Sequence, residues 1–121
     1  MSTLKVTNIQ ATGETATRAV SGVAAAWVNF NGGGTIAVRD SVNVASIADG
    51  GNGLYTVNFT NSMDNANYSC VLGSQSMVYD QGTFHDALEA NRIQYVKVQD
   101  GVVSSFIDAT TVSAEIHGDL A

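Results

Sequence analysis

A glycine-rich turn passes directly into an alternating strand in the sequence DGGNGLYTVNFT, residues 49–60. Tyr55, Val57 and Phe59 alternate there with polar residues, which is the pattern of a strand with one face in a core. Asn and Gly adopt the left-handed backbone conformations of tight turns at low cost, so DGGNG is the strongest turn signal in the chain. The stretch predicts a turn followed by a half-buried β-strand.

The same pattern recurs on both sides of this stretch. The run NGGG at 31–34 predicts a turn, and residues 35–44 alternate with Asp40 interrupting their apolar face. Ile47 is out of phase with Val44, which indicates a bulge or bend. Further strands are expected at 27–30, 68–72, 77–79, 93–98, 102–107 and 111–116. About seven to nine short strands, with turns roughly every ten residues, are typical of an all-β sandwich or jelly roll.

The alternation also predicts a single core. At 121 residues the chain fits one domain, and 45% hydrophobic residues suffice for one core. We expect that core to contain Trp27, Ile36, Val38, Val42, Val44, Tyr55, Val57, Phe59, Tyr68, Cys70, Leu72, Ile93, Tyr95, Val112, Ala114 and Ile116.

The first 25 residues follow a different pattern. A short strand is expected at residues 4–8, and helical spacing then predicts a short helix within 11–26, with Thr12 as its cap. The chain therefore divides into an N-terminal segment, 1–25, and a β-sandwich domain, 26–121. The helix has a small apolar stripe that packs either on the domain's own sheet or on a neighbouring subunit or particle socket; its residues are Ala16, Ala19, Val20, Val23 and Ala26.

Composition excludes several classes of partner. Charged residues make up only 13% of the chain, the net charge is −6, and five scattered basic residues form no patch. Nucleic acids and anionic membranes are bound by clustered Lys and Arg, so neither is expected as a partner. The sequence contains no stretch of about 20 apolar residues and no signal peptide, which predicts synthesis in a cytoplasm. Cys70 is the single cysteine, and its apolar setting predicts a core thiol.

The search for catalytic groups finds no recognised arrangement. His85 and His117 are the only histidines and lack metal-ligand spacing. His85, Asp86 and Glu89 could meet in an irregular segment at 80–91, which has one expected helical turn at 86–89. Asp80 and Asp86 lack the spacing of an EF-hand loop. We therefore predict no catalytic residue, no metal and no cofactor, and a protein that is not an enzyme.

Residues 73–91 are the longest irregular stretch, and loops on rigid scaffolds often carry binding. We predict that any recognition surface lies there and includes Tyr79, Asp80, His85 and Asp86. Trp27 has two interpretations, a core or interface anchor and a platform on which a sugar stacks.

Several short motifs carry a family resemblance. They are AWVNFNG at 26–32, RDSVNVASI at 39–47, GLYTVNFT at 53–60 and ANY at 66–68. Together they resemble a family of bacteriophage virion proteins common in tail-fibre and tail-tip sequences. The resemblance is clear over 26–73 and faint over 74–111. The C-terminal IHGD at 116–119 resembles the family's last strand, where an aromatic residue usually stands in place of His117.

The resemblance implies a non-enzymatic structural protein of the virion that assembles as a homotrimer with other virion proteins. A tail-fibre, tail-tip or receptor-binding subunit is the first expectation, with a host surface glycan or protein as a partner. The alternatives are a capsid decoration or head-fibre protein of the same fold, or a lectin-like carbohydrate-binding module.

Overall fold

A computed structural model describes residues 2–10, 12–19, 23–75, 81–100 and 106–121. These residues form β-strands joined by turns, and none of them is helical. The all-β prediction is therefore confirmed. The strands are Asn8–Ile9 (β1), Arg18–Ala19 (β2), Ala24–Asn31 (β3), Ala37–Val42 (β4), Val44–Gly51 (β5), Leu54–Phe59 (β6), Ser69–Gln75 (β7), Gln81–Glu89 (β8), Arg92–Asp100 (β9) and Thr111–His117 (β10).

Two antiparallel four-stranded sheets form the body of the molecule. The first has the order β4-β3-β10-β7 and the second the order β5-β6-β9-β8, while β1 and β2 pair separately. The inward faces of the two sheets share one core, so the architecture is a β-sandwich. Edge-to-face ring contacts, with centroids 5.1 and 5.8 Å apart, join Phe30 to Tyr55 and Phe59 to Tyr68.

The core follows the predicted alternation on most strands. Eight of the predicted core residues are buried: Tyr55, Val57, Phe59, Tyr68, Ile93, Val112, Ala114 and Ile116. Four more are partly buried and pack against this core: Ile36, Val44, Cys70 and Leu72. The side chain of Tyr95 lies outside the described part of the structure. The prediction missed Ala26, Val28, Phe30, Met63, Val98 and Ala109, all of which are buried.

The prediction for Trp27 is wrong, because β3 has the opposite phase. Ala26, Val28 and Phe30 point into the core, at 0%, 1% and 0% exposure. Trp27 shares the other face with Asn29 and Asn31, and burying two unpaired amides would cost several kcal/mol. The amides therefore hold Trp27 on the outer face, where it is half-buried.

Val38 and Val42 are also more exposed than predicted, at 44% and 46%. Both lie on β4, an edge strand of the first sheet. The register between β3 and β4 shifts at Arg39, so that Phe30 opposes Val38 whereas Asn29 opposes Asp40. This shift explains why Asp40 interrupts the apolar face, because it moves Asp40 and Val42 to the outer side.

The chain passes from β4 in the first sheet to β5 in the second through one connecting residue, Asn43, which has a φ of 58°. Its Oδ1 accepts hydrogen bonds from the backbone N–H of Asn61 at 2.7 Å and from the Asn61 amide at 3.2 Å. Its Nδ2 donates to the Asn61 carbonyl at 3.0 Å. The predicted bulge follows, because the register of β5 and β6 shifts between Val44 and Ser46.

The predicted N-terminal helix is wrong for the described residues. Thr12 and Gly13 form a turn, residues 18–19 belong to β2, and β3 already begins at Ala24. Val20 lies outside the described residues. Such a short helix with a stripe of small residues is marginal by itself, and strand pairing satisfies the same backbone groups.

Residues 81–89 form strand β8 rather than an irregular segment with a helical turn. The strand pairs with β9 from Gln81 opposite Asp100 to Glu89 opposite Arg92. A hairpin ladder with β9, closed by the turn at residues 90–91, replaces the expected helical hydrogen bonds. The predicted strand at 77–79 and most of the strand at 102–107 lie outside the described residues.

Candidate functional site

The outer face of the first sheet carries an unusual set of side chains. The ladder registers place Val42, Trp27, Glu115 and Val71 in one row across the four strands. The next row contains Asp40, Asn29, Ser113 and Gly73. The first row therefore combines three apolar side chains with one exposed carboxylate, and its neighbour combines three hydrogen-bonding side chains with a glycine.

A groove of about 580 Å³ crosses these rows. Trp27 and Val71 supply its apolar surface, and Val71 is 61% exposed. Gly73 leaves the groove open because it has no side chain. A Cβ added at this position would lie 3.3 Å from Ser113 Oγ, in tight contact with the opposite strand. This feature, which we call the Trp27 groove, is lined by Trp27, Asn29, Val71, Gly73, Ser113 and Glu115 among others.

The polar groups of the Trp27 groove are partly oriented by their neighbours. Arg39 Nη1 donates to Asn29 Oδ1 at 3.2 Å and to Thr111 Oγ1 at 3.3 Å. The Asn29 oxygen is thereby engaged, so its Nδ2 is the atom available as a donor. Glu115 Oε1 lies 3.4 Å from His117 Nε2, and the glutamate side chain is 56% exposed. The groove thus offers an amide donor, the Ser113 hydroxyl and a carboxylate acceptor.

The predicted recognition residues are not brought together in this groove. His85 and Asp86 are consecutive on β8, and consecutive strand residues point to opposite faces. Asp86 is exposed and accepts a hydrogen bond from Lys97 Nζ at 2.5 Å. His85 Nδ1 is buried and has no hydrogen-bond partner in the described part of the structure. Tyr79 and Asp80 lie outside the described residues, so a binding role for the set stays a prediction.

The third residue of the expected His-carboxylate cluster forms a different pair. Glu89 accepts from Arg92 Nε at 2.9 Å and from its Nη2 at 3.2 Å. The described residues contain no group of three or more His, Cys, Asp or Glu side chains that could hold a metal ion. None of the described residues belongs to a helix that could cross a bilayer.

The ionisable groups with the largest perturbations are packed in the body of the sandwich. Burial raises the pKa of Tyr55 and of Tyr68 to about 12, and raises the pKa of the Cys70 thiol to about 11. A nucleophilic cysteine has its pKa lowered, so the shift at Cys70 is in the opposite direction. All three groups are neutral at pH 7 and act as packing or hydrogen-bonding groups.

The short motifs at 26–32, 53–60 and 66–68 contact one another in the core of the sandwich. Phe30 of AWVNFNG packs on Tyr55 of GLYTVNFT, and Phe59 packs on Tyr68 of ANY. The Tyr55 hydroxyl donates to the Gly32 carbonyl at 3.0 Å. These motifs therefore specify a scaffold, and the groove lies on its outer surface.

Sequence reasoning singled out Trp27 but missed Asn29, Ser113, Glu115 and Gly73 as its neighbours. The available signal was the alternation of WVNFN, which couples Trp27 to Asn29 on one face. The neighbours on β7 and β10 are more than 40 residues away in sequence, and strand order alone brings them there. Comparison with family models, curated proteins and solved structures finds no match to this chain.

Proposed function

We propose that this chain is a non-enzymatic structural protein of a bacteriophage particle, and that it is a tail-fibre, tail-tip or receptor-binding subunit. The observation that carries the proposal is that the residues resembling phage virion proteins contact one another in the fold. Both members of the Phe30–Tyr55 and Phe59–Tyr68 ring pairs lie within those motifs, and so does Asn43, whose partner Asn61 directly follows the third motif. A set of motif residues that forms one framework supports descent of the whole scaffold from that family.

Purified phage particles provide the test of this proposal. An antibody raised against the chain, coupled to gold and imaged by electron microscopy, should label the tail or its tip. Mass spectrometry of gradient-purified particles should find the chain at several copies. Gold on the head would instead identify a capsid decoration protein, and absence from purified particles would refute the virion role.

The proposal extends to a homotrimer whose N-terminal segment attaches it to its neighbours. Leu4, Val6 and Ile9 are 84%, 44% and 41% exposed in the single chain. Exposed apolar side chains of this kind favour a protein partner over water. Light scattering should give the mass of three chains, and replacing the three residues with Ser should reduce incorporation into particles. A monomer at tens of micromolar would contradict the trimer.

A further inference from the structure

We propose that the Trp27 groove is a binding site for a neutral saccharide, with a pyranose ring stacked on the indole of Trp27. The inference deepens the proposed function, because it names the ligand class of a receptor-binding face. It starts from the position of Trp27, which the alternation of β3 places outside the core. A half-buried tryptophan that lines a groove presents a broad, rigid apolar surface at low entropic cost.

The polar groups of the groove match the edge of a sugar, with Asn29 and Ser113 in the row next to Trp27 and Glu115 in the row of Trp27 itself. A hexopyranose has a face of C–H groups and a rim of hydroxyls, each of which can donate and accept. Asn29 Nδ2 and the Ser113 hydroxyl can donate to that rim, and the Glu115 carboxylate can accept from it. An apolar surface beside a few fixed polar groups is the usual composition of a small-molecule site, and the groove's 580 Å³ lies within the usual range of about 300–1,000 Å³.

Charge selects against anionic ligands. Glu115 lines the groove, Asp40 stands in the same row as Asn29, and the chain has a net charge of −6. Arg39 contacts this row through Asn29, and its guanidinium also donates to Thr111 Oγ1 and to the carbonyl of Thr110. A sialylated or phosphorylated glycan would place its charge against carboxylates, so a neutral glycan is the better match.

Gly73 gives the site its opening. Any side chain at this position would begin 3.3 Å from Ser113 Oγ and would extend over the floor of the groove. Gly73→Val therefore blocks the groove without altering Trp27, and valine is favoured in strands. Phe106→Ala provides a matched control, since Phe106 is 40% exposed, contacts Lys97 and does not line the groove.

Trp27 is the only tryptophan in the chain, so intrinsic fluorescence reports on this site directly. We would titrate the intact protein with lactose, cellotriose and chitotriose, and with 3′-sialyllactose as the anionic counterpart of lactose. At least one neutral sugar should give a saturable shift. Gly73→Val should weaken that binding at least tenfold, whereas Phe106→Ala should leave it unchanged within twofold. Circular dichroism and thermal melts would verify that both variants are folded.

Three results would overturn the saccharide site. They are no fluorescence response to any of the sugars at tens of millimolar, a response to 3′-sialyllactose alone, or equal binding by Gly73→Val. A spectrum that changes with protein concentration in the absence of sugar, together with loss of sugar binding at the higher concentration, would also refute it, because a second copy would then cover the groove. Gold labelling of particles is independent of all four results, so failure of the groove is distinguishable from failure of the virion role.

Discussion

Removing one buried hydroxyl tests the hydrogen-bond network that closes one end of the sandwich. The Tyr55 hydroxyl donates to the Gly32 carbonyl at 3.0 Å and lies 3.2 Å from Asp108 Oδ1. It also accepts a long hydrogen bond of 3.4 Å from the N–H of Ala109. Tyr55→Phe deletes these contacts and keeps the ring that packs on Phe30.

The magnitude follows from which partners are left without hydrogen bonds. Asp108 is exposed to water and still accepts from the N–H of Gly53 at 2.9 Å, so it loses little. Gly32 and Ala109 are buried; the Gly32 carbonyl loses the Tyr55 donor, and the Ala109 N–H loses its long bond to the Tyr55 oxygen. Leaving a buried polar group unsatisfied costs about 1–3 kcal/mol. We therefore expect Tyr55→Phe to reduce the free energy of unfolding by about 1–2 kcal/mol at pH 7.

Urea denaturation followed by circular dichroism measures this loss as a shift in midpoint at constant slope. Tyr68→Phe is a matched variant, because the Tyr68 hydroxyl also bonds backbone carbonyls, those of Glu89 at 2.9 Å and Arg92 at 3.1 Å. A loss below about 0.5 kcal/mol in Tyr55→Phe would show that water replaces the hydroxyl, and would refute the reasoning.

The same variant changes the alkaline limit of stability. Burial, followed by the charge of Asp108, raises the pKa of Tyr55 from 10.0 to about 12. Between these values the unfolded chain loses the proton that the native chain keeps, so native stability is full below pH 10 and falls as pH rises towards 12. The slope is at most about 1.4 kcal/mol per pH unit for one tyrosine. Tyr55→Phe should have a shallower alkaline slope than the unchanged protein, and equal slopes would contradict the assigned pKa.

Five further substitutions, at four positions, test other parts of the fold by the same denaturation assay. Asn43→Gly should lower the free energy of unfolding by about 1 kcal/mol, because the hydrogen bonds to Asn61 are lost. Asn43→Ala should lower it by about 1 kcal/mol more, because alanine disfavours the φ of 58°. Equal stabilities of the two variants would refute a conformational role for Asn43. Gly53→Ala should lower the free energy of unfolding by at least about 2 kcal/mol, since the added Cβ would lie 2.5–2.7 Å from three backbone atoms. An unchanged stability would show that the neighbouring backbone moves to make room for the Cβ. Phe59→Ala should lower the free energy of unfolding by about 3–5 kcal/mol, whereas Val42→Ala, at an exposed site, should lower it by less than about 1 kcal/mol. Similar losses in the two variants would mean that the core residues are wrongly assigned.

Much of the fold could be predicted from local pattern. Tyr55, Val57 and Phe59, and likewise Val112, Ala114 and Ile116, point inward as their alternation indicates. The turns at Asn31–Gly34 and before Leu54 are also where the glycines predict them, and the Asn31 side chain accepts from the N–H of Gly33 at 2.9 Å. These features depend on residues within a few positions of one another, which a sequence displays directly.

Other features were misjudged because a local pattern supports more than one structure. Spaced alanines near residues 16–26 fit a helix, but the described backbone forms a turn and strand residues. Residues 81–89 have little clear alternation and still form β8, because β9 supplies the hydrogen-bond partners. The hydrophobicity of Trp27 predicted a core position for it. Burying its face of β3 would also bury Asn29 and Asn31, and the free-energy cost of burying these amides keeps that face outside.

The sequence by itself determined the all-β class, the main turns and the alternation of most inward residues. The tertiary structure decided which strands are neighbours, and therefore which outward residues meet. The Trp27 groove needs β7 and β10 beside β3, although at least 37 residues of sequence separate each of these strands from β3. Alternation assigns each residue to a face of its own strand, but strand order is set by the packing of two whole sheets, and no local pattern contains it.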